Sequence, residues 1–151
     1  MTNSNESRAL KVAVTFIVIF CVVHALHMEQ ASWPLITGMV LMIPATDHRH
    51  LLRRAGERVL GTVCGAALGI LALHIEKTYG FYAMLPFAAL GAGIGGYYAR
   101  SRFPYAAIIF CVTMAVVFNA PAGDLHRAFE RVIGVLLGVV LSSVMGVLLR
   151  I

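Results

Sequence analysis

Apolar residues gather into six runs, at 10–28, 31–46, 57–75, 81–99, 103–120 and 128–150, with short polar stretches between them. None keeps the two-residue alternation of a half-buried strand, and all are too long for a fully buried one, so each predicts a helix. Uncharged runs of this length suit membrane-crossing helices. The second is doubtful as a full span. Its 16 residues cover about 24 Å at 1.5 Å per residue, against a hydrocarbon core of ~30 Å. Pro34 suits its first turn and Pro44 its end, which leaves a helix that is short, tilted or partly re-entrant. Residues 1–9 are polar and read as an unstructured tip. The connections leave no room for a soluble domain. The expectation is therefore one all-α membrane domain over 1–151 with six transmembrane helices.

A twelve-residue block occurs twice in this pattern. Arg54-Ala55-Gly56-Glu57-Arg58-Val59-Leu60-Gly61-Thr62-Val63-Cys64-Gly65 returns as Arg127-Ala128-Phe129-Glu130-Arg131-Val132-Ile133-Gly134-Val135-Leu136-Leu137-Gly138. Arg, Ala, Glu, Arg, Val, Gly and Gly recur at the same places. The chain thus reads as two repeats, 10–75 and 81–150, each block opening its third helix. Three helices is an odd number, so the second repeat is inverted and the two blocks lie at opposite membrane faces. Inverted repeats are a common basis of alternating access.

Composition strengthens the membrane reading and charge orients it. Hydrophobic residues make up 60% and charged ones 13%, where soluble domains carry about 25% charged residues. The net charge of +5 comes from basic residues clustered between apolar runs, as topology determinants are, and does not point to nucleic acid. With the N-terminus inside, Arg8, Lys11, Arg49, Arg53, Arg54, Arg58, Arg100, Arg102 and Arg150 are inner, and Lys77, Arg127 and Arg131 outer, nine against three. Trp33, Tyr79 and Tyr82 then mark one interface, and Tyr97, Tyr98 and Tyr105 the other. Were segment five re-entrant, the count would be ten against two. The length of 103–120 favours a crossing. The first run exceeds a signal peptide's 7–15 apolar residues and reads as a membrane helix. Cys21, Cys64 and Cys111 lie singly within apolar runs, as packing residues do.

Three features bear on chemistry. Glycine ladders at Gly61, Gly65 and Gly69, and at Gly134, Gly138, Ser142 and Gly146, put small residues on one helix face, where backbones approach closely. Packing is their plain reading, and a sliding surface between halves or protomers the sharper one. Arg54 with Arg58, and Arg127 with Arg131, set guanidiniums four apart by the expected starts of helices 3 and 6. Such heads anchor to lipid or line an anion path, aided by the helix dipole. No Asp or Glu lies mid-segment, which disfavours an exporter of cations. His24, with His27 on the same face, is either a proton or carboxylate contact or an interfacial residue. Asp47-His48-Arg49-His50 reads as a basic inner loop facing lipid or gating the inner mouth, without the ligands a metal site needs. No phosphate-binding loop, zinc-protease motif or nucleophile elbow is present, so neither an enzyme nor a cofactor is expected.

Trp33-Pro34-Leu35-Ile36-Thr37, then Pro44, then Glu57-Arg58 with Gly61-Thr62 and Gly65 resemble the fusaric acid resistance and aromatic acid exporter family, distant relatives of the plant aluminium-activated malate transporters. The resemblance covers roughly 10–150 and is strongest from Glu57 to Gly69. It implies a bacterial inner-membrane protein with both termini cytoplasmic that exports aromatic or other small organic carboxylates. It also implies a path shaped by helices 2, 3, 5 and 6. Taken with the residue reading above, the path candidates are Arg54, Arg58, Arg127, Arg131, His24 and Thr37. Larger members carry two membrane units and soluble regions. A single unit points to a homodimer or higher oligomer, with a periplasmic adaptor as a further partner. The alternative is an accessory membrane subunit that transports nothing itself.

Overall fold

Apolar sequence without strand periodicity becomes helix throughout. The computed structural model describes residues 2–118 and 125–149, and contains no strand among them. Six helices follow in order: α1 Thr2–Ala25, α2 Ser32–Met42, α3 His48–Tyr79, α4 Phe81–Tyr98, α5 Pro104–Phe118 and α6 Leu125–Leu148.

The helix ends correct several expectations. The polar residues from Thr2 onward are helical, not an unstructured tip. Hydropathy marks what lipid covers, whereas a helix continues through polar residues that retain their backbone hydrogen bonds. Arg8 also ties this end down, since its guanidinium donates to the carbonyls of Ile43 and Ala45 beyond the end of α2. Asp47-His48-Arg49-His50 is not a loop. The Asp47 carboxylate accepts the His50 N–H at 2.6 Å, and the Asp47 carbonyl accepts the Leu51 N–H at 3.0 Å. Asp47 therefore caps a helix that starts at His48. The lone Gly56 that follows does not break it, because one helical glycine costs only about 1 kcal/mol. α3 ends where Gly80 takes φ 88°, which a side chain would oppose, and α4 begins at once.

Among the described residues, three stretches are long and apolar enough to cross a membrane: Glu6–Ala25, His48–Tyr79 and Phe129–Leu148. The 11 residues of α2 and 15 of α5 rise only about 17 and 23 Å. Large apolar side chains such as Phe20, Leu71, Ile133 and Val140 face outward. Lipid accommodates such a surface at no cost, while water does not.

The chain forms two compact units. The first holds Met1–Ala55 and Ile133–Ile151, and the second Gly56–Val132. In the first, Arg8 meets the far end of α2 and Ile19 meets Gly38, so α1 and α2 are antiparallel. The small-residue face of α6 runs parallel to α2, with Gly134 against Trp33 and Pro34, and Gly138 against Pro34 and Thr37. In the second, Gly91 meets Met114 and Gly95 meets Cys111, so α4 and α5 are antiparallel. The small-residue face of α3 runs parallel to α5, with Gly61 against Ala106 and Ile109, Gly65 against Phe110 and Thr113, and Gly69 against Val117. α3 therefore packs on α5, and α6 on α2.

The two contacts match in detail. A Cβ on Gly65 would lie 2.5 Å from the Phe110 carbonyl oxygen and 2.9 Å from Thr113 Cβ. One on Gly138 would lie 2.7 Å from the Pro34 carbonyl oxygen and 2.8 Å from Thr37 Cβ. Backbone cannot yield as a flexible side chain can, so both positions demand glycine. Gly93 on α4 has nothing within 4 Å. We predict that Gly65→Leu lowers the thermal midpoint in detergent or abolishes folded protein, since overpacking alone costs about 1–3 kcal/mol. Gly93→Leu should leave the midpoint unchanged. Equal midpoints for the two variants would refute the α3–α5 contact.

Candidate functional site

The second unit buries two arginines. Arg58 and Thr62 lie four residues apart on α3, hence on one helix face. Tyr105 sits in the first turn of α5, and Arg131 in the second turn of α6. Pro104 opens α5, its fixed φ suiting a first helical position, and this places the Tyr105 hydroxyl beside α3. Arg58 Nη1 donates to Tyr105 Oη at 3.3 Å. Arg58 is 6% exposed, Arg131 3% and Thr62 2%.

Both guanidiniums lie within the second unit, shielded from solvent. Holding like charges together away from water is unfavourable unless negative charge joins them. Glu57, 7% exposed, and the half-buried Glu130 bring carboxylates to the same unit. At the outer edge Glu130 meets the exposed His126, with Nδ1 and Oε1 3.4 Å apart. The Thr62 hydroxyl is buried without a hydrogen-bond partner. Guanidinium N–H groups and hydroxyls are donors suited to the oxygens of a carboxylate, and Arg receives one bidentately.

The structure sorts the sequence candidates. Arg58 and Arg131 are both buried in the second unit. Glu57-Arg58 lies well inside α3 and Glu130-Arg131 one turn into α6, not in the first turns expected of both. The dipole of α3 therefore gives Arg58 no help with an anion, since that effect fades beyond the first turn. Arg54 belongs to the first unit and is half-buried. The side chain of Arg127 lies outside the described residues. His24 is exposed in the last turn of α1, stacked on Phe20 with ring centroids 6.5 Å apart. Thr37 is fully buried against Gly138, so it packs helices. Trp33 donates its indole N–H to the Gln30 side-chain carbonyl at 2.9 Å, and Pro44 follows the end of α2. Gly61, Gly65, Gly69, Gly134, Gly138 and Gly146 all pack against neighbouring helices, and the Ser142 hydroxyl donates to the Gly138 carbonyl at 2.6 Å.

Two residues escaped the sequence reading. Tyr105 counted only as an interfacial aromatic, and no local pattern ties it to a residue 47 positions earlier. Thr113 stands to Gly65 as Thr37 stands to Gly138. Extending the repeat from the blocks to the helices they pack on would have found it.

Comparison with known proteins agrees with this picture. Residues 16–145 match the family described as fusaric acid resistance protein-like. Inner membrane protein YeeA of Escherichia coli (strain K12) is 33% identical over 132 residues, covering 87% of this chain and 37% of that protein. The chain thus spans little more than a third of the curated relative's length. No solved structure matches significantly.

The Arg58–Tyr105 contact yields a prediction. Tyr105→Phe should destabilise the protein in detergent by about 1 kcal/mol, between the ~0.6 kcal/mol average for membrane hydrogen bonds and ~1.5 kcal/mol for bonds to charged groups. A Tyr105→Phe unfolding curve superimposable on wild type would remove Tyr105 from the site.

Proposed function

The chain belongs to the fusaric acid resistance protein-like family, and from that membership we propose an inner-membrane transport protein that moves small organic carboxylates, aromatic ones included, out of the cell. The observation that carries this reading is the burial of Arg58 and Arg131 in one compact unit. Two fixed guanidiniums attract an anion, and the donors around them match carboxylate oxygens.

The proposal includes six membrane crossings as two inverted repeats, with both termini cytoplasmic. Supporting this are the antiparallel pairs α1–α2 and α4–α5, and the matched contacts of α3 on α5 and of α6 on α2. α2 and α5 are short, as are the discontinuous helices that form substrate sites in transporters.

The test is uptake of labelled aromatic and aliphatic carboxylates into proteoliposomes, with and without a pH gradient. Arg58→Gln and Arg131→Gln should each lower flux at least about tenfold, because bonds to charged groups contribute ~1.5–3 kcal/mol. Their thermal midpoints in detergent separate loss of transport from loss of fold. Wild-type flux in folded variants would overturn the site. No flux from folded wild type across the panel would favour an accessory subunit.

A further inference from the structure

The first unit carries an open groove of about 620 Å³ between α1 and α2, with Arg8 at one end and Val12, Phe16, Ile17, Met39 and Ile43 along its walls. Its chemistry is divided. The walls are apolar, and the charge is confined to the end where the Glu6–Ala25 span begins, the depth of lipid headgroups. From Arg8 to Ile17 the helix rises about 14 Å, close to half of a ~30 Å hydrocarbon core, so the groove has the length of one leaflet.

Arg8 is held in place there. Its Nη2 donates to the Ile43 and Ala45 carbonyls, which leaves Nε and Nη1 to meet another acceptor. A guanidinium anchored by one nitrogen is oriented before a phosphate arrives. The second unit offers a contrast. Its cavity of about 310 Å³, beside Leu60, Cys64, Tyr98 and Phe110, has no charged residue in its lining.

We infer that the α1–α2 groove binds one anionic phospholipid of the cytoplasmic leaflet, its phosphate on Arg8 and an acyl chain against Val12, Phe16 and Met39. The choice of leaflet rests on the orientation proposed above. The lipid site itself does not, because vesicles present lipid from both sides.

Trp33 is the only tryptophan, so the pair Trp33→Phe and Phe16→Trp moves the fluorophore into the groove. In vesicles mixing phosphatidylglycerol and phosphatidylcholine, with one or the other brominated on its acyl chains, quenching reports which lipid occupies the site. The expected result is a roughly fivefold preference for phosphatidylglycerol, the factor one basic residue supplies at a membrane surface. Arg8→Gln should bring the preference near unity. Ala13→Leu fills the groove and leaves Arg8 bonded to its carbonyls, so it should lose the same preference without disturbing the α1–α2 anchor. Equal quenching by both lipids before any groove mutation, or a preference that survives both Arg8→Gln and Ala13→Leu, would overturn the inference. Absence of quenching by either lipid would also overturn it, marking a groove covered by protein. A preference that appears while the termini prove periplasmic would keep the lipid site and reject the orientation.

Discussion

Contact between bare helix backbones is the constraint on which this fold depends. Lipid tails are as apolar as leucine side chains, so burial alone gives helices in a bilayer little reason to associate. What remains is dispersion over short distances, and dispersion rewards only close approach. Gly65 lets α3 reach the Phe110 carbonyl, and Gly138 lets α6 reach the Pro34 carbonyl. Those contacts hold α5 and α2, which are too short to be placed by the membrane's thickness. With α5 seated, Tyr105 stands beside Arg58. The polar site is thus a product of apolar packing one or two turns further along the same helices.

Much of this was legible in the chain. Helical class follows from the apolar runs. The repeat and its glycine spacing identify the faces that meet. Arg58 and Arg131 stand out as guanidiniums at equivalent places in the two blocks. The illegible parts have physical reasons. Hydropathy measures affinity for lipid, so it missed the polar turns before Ala55 and the cap supplied by Asp47. Spacing along one helix names a face but not its partner, so nothing local says that the face of α3 meets α5. Tyr105 is an ordinary interfacial aromatic until that pairing is known.

The arginines divide by environment. Arg8 is exposed at the start of a span and joins backbone carbonyls, a bond that fixes helices and leaves the charge near headgroups. Arg58 and Arg131 are buried within one unit, where lipid headgroups do not reach them. Surface arginines fit the role of topology determinants, whereas buried like charges persist only with counter-charge from the protein or a ligand.

The packing of α3 on α5 and of α6 on α2 also bears on how the chain is made. A ribosome releases α2 long before α6, and α6 is the helix whose small residues cover Pro34 and Thr37. When the first three helices have emerged, α2 lacks that partner and α3 lacks α5. α2 and α3 each wait for a later helix, and α6 completes the unit that α1 and α2 begin.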